Sequence, residues 1–346
     1  MKLKLILFSM LVLSAVQVRA QKAQKVLDVM KEHVDEISID TRASFHQEVR
    51  EGKYDTHFQG DYLNLHMLGQ ITDKLTFRVR QRLNKKIDDQ NPFNATDFLW
   101  LKYQFHPKWS VTAGKQAILV GTYEVDSAPI DVYYYGTFVN NWYQYYAFGV
   151  NVTYTPAPGQ NIVLQFCPSP ISSAKQNAYS YNLYWNGHIG PYWKTTWSYN
   201  YVEDETTRMM NWIALGNRFF MGPLALDVDF INRASFQQKR FFFSDWSLIG
   251  KAILTLGKWN LCTKVGYERN DDSNVDASGA SYDLILPAGN DYLYYGAGVE
   301  FFPLGGDHLR LHAVWFRDNH DRINNFDLGV TWRFNIYTRS AAKPWF

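Results

Sequence analysis

Lys74-Leu-Thr-Phe-Arg-Val-Arg-Gln-Arg-Leu83 is the stretch of sequence in which apolar and basic side chains alternate most clearly. Its apolar positions are Leu75, Phe77, Val79 and Leu83, and its basic positions include Arg78, Arg80 and Arg82. Successive side chains of a β-strand point to opposite faces. The stretch therefore predicts a strand with one apolar face and one strongly basic face.

The same period-two alternation continues to the end of the chain and predicts sixteen strands. Short turns with Pro or Gly alternate with longer polar loops, as expected for an up-and-down meander with two unlike ends. The predicted strands lie near residues 38–50, 57–68, 73–84, 96–105, 108–117, 139–154, 161–167, 178–187, 191–201, 208–219, 223–232, 243–256, 258–269, 291–302, 307–317 and 322–337.

This pattern predicts an all-β fold: a sixteen-stranded antiparallel transmembrane β-barrel with short periplasmic turns and longer external loops. No apolar run beyond the N-terminus reaches the roughly 18 residues of a spanning helix, and 17% of the residues are aromatic. Rings are expected at strand ends, at the level of the lipid headgroups, where Trp109, Trp142 and Trp259 fall.

The N-terminus has the features of an export signal. Residues 1–20 combine a basic start, an apolar stretch and small residues before a predicted cleavage between Ala20 and Gln21. We expect a helical periplasmic segment over residues 21–37 and the barrel over residues 38–346, in the cell outer membrane. The predicted signal holds three of the 35 basic residues and none of the 33 acidic ones. The mature chain is thus nearly neutral, which argues against a nucleic-acid partner.

Sixteen strands enclose a barrel wide enough for a water-filled channel. Three arginines on one face of one strand would then form a basic ladder that guides anions, or a solvated wall whose charges pair with neighbours. Other basic side chains predicted to line the pore are Lys102, Arg310 and Arg333.

The region from Leu75 through Phe105, followed by Trp109-Ser-Val-Thr-Ala-Gly-Lys-Gln116 and a long loop with Glu124, resembles the phosphate-selective porin O and P family. The resemblance implies a sixteen-stranded barrel, commonly trimeric, whose basic residues guide anions. In such porins the third external loop, here residues 117–138, folds inward and narrows the channel. Its candidate constriction residues are Glu124, Asp126, Asp131, Tyr133 and Tyr134. An ordinary exposed loop is the alternative interpretation of this segment. The loop lacks a lysine cluster, so selection of phosphate stays open.

No pattern of catalytic or metal-ligating residues stands out, and we expect no enzyme activity, metal or cofactor. The prediction is a porin for passive diffusion of small polar or anionic solutes, with phosphate among the candidates. A non-conducting structural or secretion-linked barrel is the alternative, and a barrel enzyme is a weaker one. Expected partners are outer-membrane lipids, lipopolysaccharide, the barrel-assembly machinery and two further copies in a homotrimer.

Overall fold

The computed structural model describes residues 32–51, 53–88, 91–173, 177–204, 209–320 and 322–339. Sixteen antiparallel strands, β1 to β16, follow one another around a closed barrel in which β1 pairs with β16. The strands are Val34–Arg50, Lys53–Thr72, Leu75–Arg82, Thr96–His106, Trp109–Ala117, Tyr146–Tyr154, Asn161–Pro168, Tyr179–Ile189, Trp193–Glu203, Met209–Met221, Leu224–Ser235, Asp245–Leu256, Trp259–Asn270, Asn290–Phe301, Leu309–Asp318 and Asn324–Thr338.

The sequence prediction of a sixteen-stranded antiparallel barrel is confirmed, and the largest differences at strand starts are at β1, β2 and β6; β2 begins at Lys53 rather than at 57. β1 begins at Val34, so the predicted helical segment is strand from that residue onward; residues 21–31 and the predicted signal lie outside the described residues. Residues 34–37, which the prediction left out of β1, pair with the ends of β2 and β16. Without them, those strand ends would carry unpaired backbone groups. β6 begins at Tyr146 rather than at 139, because residues 139–145 belong to the preceding loop.

The two ends of the barrel differ as the sequence predicts. β2 and β3 are joined by a two-residue turn, and the other even-to-odd connections are also short. The odd-to-even connections include the long segments 83–95, 118–145 and 271–289. In barrels of this class the short turns face the periplasm, which places the long segments at the external end.

The outer surface of the wall is apolar along the strands. Its exposed large apolar residues include Leu99, Leu101, Phe148, Val150, Leu164, Leu183, Leu248, Leu261, Val265, Leu311, Leu328 and Trp332. Aromatic pairs mark the periplasmic ends of strands: Trp109 stacks on Tyr154 at 4.6 Å, and Trp259 stacks on Phe301 at 4.3 Å between ring centroids. These rings fit the headgroup level predicted for them. Among the described residues, no helix is long and apolar enough to cross a membrane.

The connection between β5 and β6, residues 118–145 (loop 3), lies inside the barrel. It contains helix α1 (Tyr123–Asp126), a 3₁₀ helix (Pro129–Asp131) and helix α2 (Thr137–Asn140). Gly121 allows the loop to approach the β9 backbone, since a Cβ there would lie 2.4 Å from the amide nitrogen of Ser198.

Loop 3 forms an apolar core with the inward face of the wall. Phe138 is fully buried, and Trp142 stacks on Trp212 of β10 at 5.7 Å. The prediction that Trp142 belongs to the ring of headgroup-level aromatics is therefore wrong. Its neighbours in sequence follow the loop rather than the strand, so the indole finds its apolar partners within the lumen.

An arginine on the outward face should destabilise the barrel at mid-membrane. We expect Val265→Arg, near the centre of β13, to lower the free energy of unfolding by about 2–4 kcal/mol. Leu304→Arg, in the exposed turn before β15, is the control and should cost less than about 1 kcal/mol. Urea unfolding in lipid vesicles measures both. Equal costs at the two positions would show that Val265 does not face lipid.

Candidate functional site

The three arginines of β3 form an inward-facing ladder, and a single carboxylate serves two of them. Asp97 of β4 accepts hydrogen bonds from Arg80 Nε at 3.0 Å and from Arg82 Nε at 2.9 Å. Among the described residues, Arg78 has no carboxylate within ion-pairing distance; its guanidinium lies 4.3 Å from the centroid of the Phe98 ring. The ladder thus keeps an excess of positive charge.

Lys102 extends this positive surface toward the periplasm. It lies on β4, in register with Thr76 of β3 and Thr112 of β5. Thr112 is buried in the barrel interior, so Lys102 shares that inward face. We call Arg78, Arg80, Arg82 and Lys102 the basic strip.

The arginine ladder faces the middle of loop 3 across a cavity of about 370 Å³, which we call the passage. Residues 128–131 of the loop form the opposite side. The rest of the lining includes Arg333 of β16 and the carboxylates Glu36, Asp40, Asp97 and Asp307. Arg42 fixes this part of the loop by donating from Nη1 to the carbonyl oxygens of Ile130 and Val132, both at 3.0 Å. The loop therefore narrows the lumen beside the ladder.

The acidic side chains of loop 3 are bound to walls other than the ladder. Lys264 of β13 donates to Glu124 at 2.6 Å, while Asp131 pairs with Arg310 and Arg333. Asp126 accepts hydrogen bonds from Tyr184 at 2.6 Å and Thr196 at 3.1 Å. Basic wall residues thus compensate Glu124 and Asp131, hydroxyl groups bind Asp126, and Asp97 is the carboxylate that pairs directly with the ladder.

The two predicted constriction tyrosines pack against the wall as well. Tyr133 donates to Glu300 at 2.8 Å and packs at a tilt against His312, at 4.6 Å between ring centroids. Burial raises the pKa of Tyr133 above its usual value, and nearby Glu300 raises it further, so the phenol stays a donor. The ring of Tyr134 packs on Phe316, also at 4.6 Å.

Two wall carboxylates outside the predicted set of site residues hold the helices of loop 3. Asp229 accepts from the backbone N–H groups of Tyr123 and Glu124 at 3.0 and 2.7 Å. Glu268 accepts from those of Thr137 and Phe138 at 2.7 and 2.9 Å. Each satisfies free N–H groups in the first turn of a short helix. In the sequence, each appears only as an acidic residue on the inward face of a strand. That pattern does not distinguish it from a wall residue in contact with water.

The segment 271–289 covers loop 3 from the external side. Arg233 of β11 is fully buried and donates to Asp245 of β12 at 2.7 Å and to Asp283 of this segment at 3.0 Å. Asn141 of loop 3 donates to the carbonyl oxygen of Ile285 at 2.7 Å. At its external end, the β10–β14 side of the lumen is therefore filled, and the open space lies nearer β1–β4 and on the periplasmic side of the loop.

Comparisons with known proteins agree with this architecture. Residues 37–201 match the family model of phosphate-selective porin O and P. OprB of Pseudomonas putida, in a high-pH structure, is 11% identical with a TM-score of 0.62, covering 89% of this chain and 96% of that one. OmpT of Vibrio cholerae, in its trimer form, is 12% identical with a TM-score of 0.60, covering 86% and 99%. No curated protein sequence matches the chain.

The closed barrel, its inward loop 3 and the family match together define a channel-forming outer-membrane porin. Over residues 37–201, which include β2–β8 and nearly all of β1 and β9, the match supports the phosphate-selective porin O and P family. The sequence resemblance to that family is therefore confirmed. The structural neighbours share the fold.

Removing the Glu268 carboxylate should loosen loop 3. Glu268→Ala leaves two buried N–H groups without an acceptor, at a cost of about 1–3 kcal/mol each. We expect proteases to cut the folded variant faster between residues 118 and 145. Mass mapping of the fragments measures this, with the exposed Glu48→Ala as control. Unchanged cleavage in Glu268→Ala would mean that other contacts alone hold the loop.

Proposed function

We propose that this porin conducts small polar solutes by passive diffusion with a mild preference for anions, and that anions follow the basic strip through the passage. The observation that carries the proposal is the charge of the strip: four basic side chains face the lumen from β3 and β4, and only Asp97 pairs with them from these strands. The role is transport, with no covalent chemistry.

Fixed guanidinium groups beside a narrow aqueous space raise the local anion concentration and repel cations. Arg78 matters most, since its charge has no carboxylate partner within ion-pairing distance among the described residues. Phosphate is one anion that an arginine can bind through two donors. Asp40 and Glu36 also line the passage and moderate the field, which favours a weak preference over strict selection.

Neutralising the strip should shift the ion preference toward cations. We expect the reversal potential of Arg78→Gln in a salt gradient to move in the cation direction, and Arg78→Gln/Lys102→Gln to move it further. The shift should shrink as the screening length falls from about 30 Å at 0.01 M salt to about 3 Å at 1 M. Planar-bilayer recordings of the purified protein measure it.

A charge-matched control separates the effect of the electric field on ion preference from the effect of the substitutions on the structure. Arg218→Gln/Asp227→Asn removes one positive and one negative charge that pair with each other, so its reversal potential should stay near that of the wild type. If Arg78→Gln also keeps the wild-type value at low salt, the strip is barrel wall and does not guide ions. Absence of conductance in the wild type would instead favour a structural or secretion-linked barrel.

We also propose a homotrimer in lipopolysaccharide-containing outer membrane, inserted by the barrel-assembly machinery after cleavage near Ala20. Support comes from the family resemblance and from OmpT, whose matched structure is a trimer form. Native mass spectrometry of detergent-purified protein should give the mass of three chains, each beginning at Gln21. A single-chain mass in mild detergent and in nanodiscs would contradict the trimer.

A further inference from the structure

A second cavity, of about 270 Å³, lies on the opposite side of loop 3 from the arginine ladder. Its walls are residues 123–134 of the loop and strands β11–β15. Asn260, Phe302 and Asp307 line it near the periplasmic turns, so it faces the periplasmic end. It shares only Asp131 and Asp307 with the lining of the passage.

Lys251 of β12 is the one lysine or arginine lining this cavity for which the described residues provide no hydrogen-bond or ion-pair partner. Its two cross-strand neighbours are already engaged. Asp227 of β11 accepts hydrogen bonds from Nε and Nη2 of Arg218 at 2.6 and 2.7 Å. Lys264 of β13 is bound to Glu124. The ammonium group is therefore available to a ligand.

The rest of the lining is rich in rings and apolar side chains. The rings of Tyr134 and Phe316 pack in a tilted arrangement at 4.6 Å between centroids, and Tyr294 meets Tyr134 edge-on at 5.3 Å. Ile253 and Val314 add aliphatic surface. A flat ring could replace water against such a surface, with a gain in dispersion and aromatic contact.

The carboxylates that line the cavity favour a ligand with only one negative charge. Asp227, Glu300 and Asp307 line the same cavity as Lys251. A phosphate near neutral pH would bring a second charge, which these carboxylates would repel and which no second free cation in the lining would offset. A carboxylate needs only the Lys251 ammonium.

We propose that this lysine cavity binds small aromatic carboxylates that enter from the periplasmic side, with Lys251 as the anion anchor and the Tyr134–Phe316 surface as the ring platform. The site is separate from the passage and goes beyond general anion diffusion. It would make the porin a binding channel for ring-bearing monoanions while other solutes pass by the basic strip.

Calorimetric titration of the folded, detergent-purified protein tests the proposal, with benzoate as the probe. Acetate carries the same charge without the ring, and benzyl alcohol carries the ring without the charge. We expect benzoate to bind at least about tenfold more tightly than benzyl alcohol, the factor that one charge-assisted hydrogen bond supplies. It should also bind more tightly than acetate, which lacks the ring contacts. Comparable affinity for acetate and benzoate, or no benzoate binding, would overturn the proposal.

Variants identify the anchor. Lys251→Gln should weaken benzoate binding about tenfold or more, and Lys251→Arg should restore most of it. The exposed external-loop variant Lys239→Gln, matched in charge, should bind as the wild type does. Wild-type affinity in Lys251→Gln would overturn the assignment. Arg78→Gln should keep benzoate binding, so loss of anion preference and loss of this site are distinguishable outcomes.

Discussion

The lack of water in hydrocarbon is the constraint on which the structure depends. A backbone N–H or C=O left unpaired in lipid costs several kcal/mol, so a sheet that crosses the membrane cannot have edges. The chain meets this requirement by pairing β1 with β16 over the length from Glu36 to Val49. Closure also explains why β1 starts earlier than the sequence pattern suggested.

Closure turns the polar faces of all sixteen strands inward, and loop 3 binds to that inward surface. The wall provides carboxylates at Asp229 and Glu268 for the loop's backbone N–H groups and apolar side chains such as Trp212 for its rings. Because these contacts come from separate strands, the loop is fixed at several points across the lumen. The external end of one side of the barrel is filled, and diffusion is confined to the space that loop 3 leaves open.

The position of loop 3 decides which charged side chains line the space that stays open. On one side of loop 3 lies the passage with the excess positive charge of Arg78, and on the other lies the cavity of Lys251. In both places most acids and bases pair with each other, and each place also contains one cation, Arg78 or Lys251, without a carboxylate partner among the described residues. A count of charges over the whole lumen would miss this, since pairing decides which charges act on a solute.

The sequence by itself determined the number of strands, the apolar and polar faces, and the position of the ladder Arg78, Arg80 and Arg82. These follow from period-two alternation and turn residues, which are local properties of the chain. It also indicated, through the family resemblance, that the third external loop turns inward.

Only the tertiary structure decided which charges meet. Asp131 pairs with Arg333, 202 residues away, and Asp229 binds a helix that lies about a hundred residues earlier in the chain. No local pattern encodes such partners, because they depend on the path of loop 3 across the closed barrel. The same holds for Trp142, whose place in a strand-like run predicted a membrane-facing ring. The loop carries it instead into the apolar core of the lumen, where burial against Trp212 stabilises it.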